Sequence, residues 1–181
     1  MKKYNDIGLI RLSKQGNEEA LRELIERYHP SVYQLAYKYC GIKQDAEDIT
    51  QEVFIKIVGK LNEFKEASSF HTWLYRIALN TSHDFSRSNQ NLKSTHKPYD
   101  EAAELTSNST TPEESLLGLQ LLNEITRLPK KLKETALLVF CEGFTHREAA
   151  ETLSCAETTI SWRIFQAKKH LKPIWQQGSQ L

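Results

Sequence analysis

Glycine and proline are scarce, seven and five among 181 residues, so little in the sequence interrupts long helices. No stretch alternates polar and apolar residues with period two for long enough to argue a strand. No apolar run nears the roughly 20 residues that span a bilayer, which excludes membrane insertion by a helix. The start, MKKYNDIGLI, has two lysines but meets Asp6 at once, which argues against a secretory leader and for the cytoplasm. The three cysteines, Cys40, Cys141 and Cys155, are odd in number and far apart. They fit small buried hydrophobes in a reducing compartment better than disulfides, and no CxxC or Cys/His spacing suggests zinc. No metal or other cofactor is expected. Nucleophile-elbow, phosphate-loop and zinc-hydrolase spacings are also missing, so the expectation is a protein that is not an enzyme. A basic excess is missing too: 24 Lys and Arg face 23 Asp and Glu, for a net charge of +1. Affinity for duplex DNA comes largely from neutralising phosphates, so DNA binding here is weak alone or supported by a partner.

What is present is helical pattern. Asn17 before EEALRELIERYH reads as an N-cap, with Ala20, Leu21, Leu24, Ile25 and Tyr28 on one face. Pro30 is expected to start a new helix, PSVYQLAYKYC, that Gly41 ends. A long helix follows over QDAEDITQEVFIKIVGKLNEF, and SSFHTWLYRIALN supplies another, capped by Ser68 or Ser69. In that last segment Phe70, Trp73, Leu74 and Ile77 share one side, while Thr72, Arg76 and Asn80 fall elsewhere. Aromatics at that spacing are usually core. After Arg87 the stretch SNQNLKSTHKPYDEAAELTSNSTTPEE is polar, charged and proline-containing, which predicts an exposed, flexible linker. Its roughly 25 residues can extend to about 80 Å. Helical pattern resumes at SLLGLQLLNEITRL. The fold class is therefore all-α: two small helical domains, 1–90 and 113–181, joined by a linker at 91–112.

Two segments suggest function. In DAEDITQEVFIKIV, Asp45, Asp48 and Glu52 form one stripe flanked by Gln51 and Ile55, opposite the apolar Ala46, Ile49, Val53 and Ile57. The stripe is either a solvated face near a helix N-terminus or a contact surface. In GFTHREAAETLSCAETTISWRIFQAKKHLK, Gly143 closes one helix and Thr145 with Glu148 matches a capping box. A short helix to Leu153, the turn SCAE and a second helix from about Glu157 fit a helix-turn-helix, the alternative being a plain helical hairpin. Ile160, Ile164, Ala167 and Leu171 mark the inner face of that second helix, which places Ser161, Trp162, Arg163, Gln166, Lys168 and Lys169 elsewhere.

Together the halves resemble a bacterial RNA polymerase sigma factor of the sigma-70 family, in its extracytoplasmic-function (ECF) group. DAEDITQEVFIKIVGKLNEF with SSFHTWLYRIALN is similar to region 2, and LPKKLKETALLVFCEGFTHREAAETLSCAETTISWRIFQAKKHLK to region 4. The resemblance implies a factor that binds core RNA polymerase and directs promoter-specific initiation. It implies that Asp45, Asp48, Gln51 and Glu52 contact the clamp helices of the largest polymerase subunit. Region 2 would open the minus-ten element, with Trp73, Arg76 and Asn80 near the melted strand and Phe70, Leu74 and Ile77 in the core. Region 4 would read the minus-thirty-five element through Thr158, Thr159, Ser161, Trp162, Arg163, Gln166, Lys168 and Lys169, with Arg163 the leading direct contact. The chain departs from the family at Ser161, Trp162 and Gln166, where a Lys, a small residue and an Arg are common. Trp162 keeps two readings, a thymine-methyl contact or a cover for the helix. An anti-sigma factor is a further implied partner, and the free protein is expected to be a monomer. Two other readings compete: a free-standing helix-turn-helix regulator, and a helical adaptor that binds only protein.

Overall fold

A computed structural model describes the backbone of residues 4–90 and 112–178, with side chains over 4–88 and 118–172. The expected linker lies almost wholly outside the described residues. The first half comprises α1 (Asp6–Lys14), α2 (Glu18–Cys40), α3 (Lys43–Lys60) with a 3-10 turn at Leu61–Glu63, and α4 (Phe70–Gln90). The second comprises α5 (Pro112–Arg127), α6 (Lys130–Ala136) running into a π-helical turn at Leu137–Cys141, α7 (His146–Leu153) and α8 (Glu157–Gly178). No strand occurs among the described residues, as the sequence predicts.

Local chemistry sets most boundaries. The Asn17 side chain accepts from the Ala20 amide at 2.9 Å and starts α2. Gly41, at φ 77°, takes the left-handed conformation that ends it. Pro30 does not start a helix; it lies inside α2. Losing one amide donor there costs about 3 kcal/mol, yet Leu24 before it and Val32 and Leu35 after it are all buried against one core. Burial on both sides outweighs the break. Ser69 caps α4, its hydroxyl accepting from the Thr72 amide at 3.0 Å. Helix α1 escaped the sequence reading; Leu9 and Ile10 bury it on α2, and Asp6 ties it there through Arg27 at 2.6 Å and Tyr28 at 2.5 Å.

The two halves also pack against each other. Lys38 of α2 meets the carboxylate of Glu142 at 2.7 Å, with side chains only 13% and 9% exposed. Tyr75 of α4 donates to the other oxygen of that carboxylate at 2.9 Å. Phe144 lies against the rings of His71 and Tyr75, with centroids 4.7 and 5.1 Å away. Lys133 of α6 sits 3.9 Å over the Tyr39 ring, and burial pushes its ammonium down to about 8.

Candidate partner- and nucleic-acid-binding surfaces

On α3 the acidic stripe stands as the sequence predicts, above buried Ala46, Ile49, Val53 and Ile57. Asp48 and Gln51 are exposed, Asp45 and Glu52 half-buried, and Glu52 holds Lys56 at 2.7 Å. The sequence reading missed the feature beside it. A groove of about 530 Å³ opens between α2 and α3, lined by Ile25, His29 and Tyr33 from one and Phe54, Ile55 and Val58 from the other. His29 stacks on Phe54 at 5.8 Å with planes 8° apart. Ile55 is 65% exposed and Val58 47%, unusual for aliphatics on an otherwise polar face. The sequence cue was Ile55 flanking the acidic stripe.

On α4 the aromatics form a cluster rather than an open stacking surface. Trp73 is half-buried, 5.3 Å from Phe64 and 5.7 Å from Phe70 between ring centroids. Phe70 and Leu74 are core, whereas Ile77 is half-buried. Asn80 is exposed. Thr72 is not on an open polar face; it is buried and bonded to Ser69 at 2.8 Å. Arg76 reaches across to α7, where its Nε donates to the Thr152 carbonyl at 3.0 Å and a guanidinium nitrogen donates to the Glu151 carbonyl. A cation at the last carbonyls of a helix complements its dipole. The side chain expected near a melted strand is thus occupied by the other half.

The helix-turn-helix has the predicted chemistry. Thr145 and Glu148 form a complete capping box, and the turn passes through Ser154 in the left-handed conformation at φ 51°. Ala149 and Ala150 are buried where the helices meet. At 100° per residue, Ile160, Arg163, Ile164, Ala167 and Leu171 fall on one arc of α8, and all five are buried. Arg163 is therefore misplaced by the sequence reading. It is 9% exposed and turned towards α6, where its charge, with those of Lys130 and Lys133, opposes the burial that raises the Glu134 carboxyl above its ordinary range. The opposite arc carries Thr158, Ser161, Trp162, Phe165, Lys168 and Lys169, all exposed; Thr159 and Gln166 lie half-buried at its margin. Ser161 is bonded to His146 at 3.0 Å. Phe165, 65% exposed, stands on the same arc, though the sequence pattern did not single it out.

Arg163→Ala is expected to lower stability by about 1–3 kcal/mol, because it strips a cation from the buried Glu134. Lys169→Ala, on the exposed arc, should leave the thermal midpoint unchanged. Equal midpoints for wild type and Arg163→Ala would return Arg163 to the surface.

Residues 24–92 match the family described as Sigma-70 region 2, and residues 118–171 match Sigma-70, region 4. An ECF RNA polymerase sigma-E factor of Haemophilus influenzae is 32% identical, over 92% of this chain and 93% of its own. The ECF RNA polymerase sigma factor SigW of Bacillus subtilis is 28% identical, over 90% of this chain and 92% of its own. Among solved structures, CnrH in complex with the cytosolic domain of CnrY shares the fold, with a TM-score of 0.70 at 22% identity over 93% of this chain and 95% of that one.

Proposed function

The chain belongs to the ECF group of RNA polymerase sigma factors, and on that premise we propose how its surfaces divide the work. It is a factor that binds core RNA polymerase and directs promoter-specific initiation. Such factors act in initiation without catalysing it, and no described helix is long and apolar enough to cross a membrane. The cytoplasm, where polymerase works, is the compartment this implies.

We assign 1–90 to polymerase binding and minus-ten opening and 113–181 to minus-thirty-five reading, a division that the matches at 24–92 and 118–171 support. Polymerase docks on the face made by α2 and α3. One observation carries this: the acidic stripe borders an open apolar groove, so charge and apolar surface stand side by side. Apolar contact supplies affinity at such a surface, and flanking charge supplies recognition and rate of encounter. A helix of a partner, laid along α3, fills the groove and sets basic residues against Asp48 and Glu52. An anti-sigma factor competing for that groove is the natural restraint on a protein of this kind. CnrH, which shares the fold, was seen with a partner's cytosolic domain.

Asp48→Ala with Glu52→Ala tests the assignment. Folding should be little affected, since the Glu52–Lys56 pair is partly open to solvent and worth less than about 1 kcal/mol. Affinity for core polymerase is expected to fall about tenfold, with the loss concentrated in the association rate. Binding at the wild-type rate and affinity would reduce the stripe to a solvated helix face.

A further inference from the structure

The exposed arc of α8 contains an unusual pair. Trp162 is 58% exposed and Phe165 65%, three residues apart and on the same side of the helix. They are the sixth and ninth residues of α8, in its N-terminal half, where a recognition helix meets base edges. Exposed aromatic surface of this size normally marks a contact. Charge says with what. Lys168, Lys169 and Lys172 continue the arc along the helix and are all exposed, a cationic run suited to a phosphate backbone. Meanwhile the polar groups that would read bases by hydrogen bond are reduced. Arg163 is buried, Ser161 is engaged by His146, and Gln166 is half-buried.

Apolar side chains in the major groove find one apolar feature on a base edge, the 5-methyl group of thymine. We infer that Trp162 and Phe165 read thymine methyls in the upstream promoter element, with the lysines fixing the helix on the flanking phosphates. The inference rests on the reading of α7 and α8 as the duplex-reading domain, and it adds the chemistry that is read. Specificity then comes from apolar contact, which suits a chain with little basic excess. It also assigns Trp162 a role over one as a cover for its own helix.

Replacing thymine by uracil removes only the methyl, so the test uses that atom group. The holoenzyme first selects promoters from DNA randomised across the upstream element, and thymine is expected at two or more neighbouring positions. Uracil is then placed singly at each of these, and open-complex formation is measured for wild type and for Trp162→Ala with Phe165→Ala. At the contacted positions each uracil should weaken the wild type by about fourfold, the effect of one buried methyl. The double variant should be weaker on thymine promoters and indifferent to uracil at those positions. Both side chains are exposed, so its thermal midpoint and core-polymerase affinity should match the wild type. If wild type and variant respond to uracil alike, while both still discriminate the upstream element, the methyl reading is overturned and the pair belongs to a protein surface. If neither holoenzyme discriminates any base of that element, the assignment of α7 and α8 to the duplex falls as well, which is a separate outcome.

Discussion

Glu142→Ala is expected to part the two halves of the molecule. In the docked arrangement one carboxylate serves Lys38 at 2.7 Å and Tyr75 at 2.9 Å. Without it Lys38 keeps the Cys141 carbonyl, at a longer 3.5 Å, with its ammonium still largely out of water. Breaking a buried ion pair by removing one member costs about 3–5 kcal/mol if the surroundings hold still. They need not hold still: separating the halves returns both Lys38 and the Tyr75 hydroxyl to solvent. Opening relieves the penalty, so the seam should yield before either half unfolds. Small-angle scattering should show a larger radius of gyration for the variant, with helix content unchanged. Tyr75→Phe, which removes the bond to Glu142 across the seam and one to Ser31 within the first half, should give a smaller expansion. A variant with the wild-type radius would mean that Phe144, Lys133 and Arg76 hold the seam without the ion pair.

A charge in the α2–α3 groove should have the next largest effect. Ile55 is 65% exposed, so Ile55→Asp disturbs little of the fold. On docking, however, the new carboxylate must leave water with no partner, beside a stripe that is already acidic. A disrupted hot spot of an interface costs about 2–4 kcal/mol, so with Ile55 as one, affinity for core polymerase should drop roughly 30- to 1000-fold. Ile55→Ala removes contact without adding charge and should cost less. Titration of labelled variants with core enzyme decides between outcomes. Full affinity in the Asp variant would place the polymerase elsewhere on the domain.

Much of the architecture was legible because local chemistry specifies it. Asn17, Gly41 and the Thr145–Glu148 box each satisfy backbone groups within a few residues, and each appears as read. Pro30 misled because the loss at one residue is local, while the burial of Leu24, Val32 and Leu35 that outweighs it is tertiary. Arg163 misled because arginine ordinarily marks a surface. Its spacing to Ile160 and Ala167 placed it on the inner arc, but its acidic neighbour, Glu134, lies in another helix. The seam had no sequence signature at all. Lys38 and Glu142 are 104 residues apart and Tyr75 and Glu142 are 67 apart, separations over which no periodicity speaks.

The capture of Arg76 by the end of α7 carries a consequence for the order in which the molecule meets its targets. Two promoter elements about two turns of duplex apart stand roughly 70 Å from each other, so the halves must separate before both can be occupied. In the docked form Arg76 of α4 is engaged by α7, whereas the α2–α3 groove remains open. Chromosomal DNA, with its vast excess of random sites, therefore meets a nearly neutral particle whose Arg76 is turned inward to α7. Non-specific binding follows the number of phosphates neutralised, so such a particle is expected to hold random duplex weakly. Random duplex then withdraws little of this protein from the competition for polymerase. Polymerase is met first and the chromosome second.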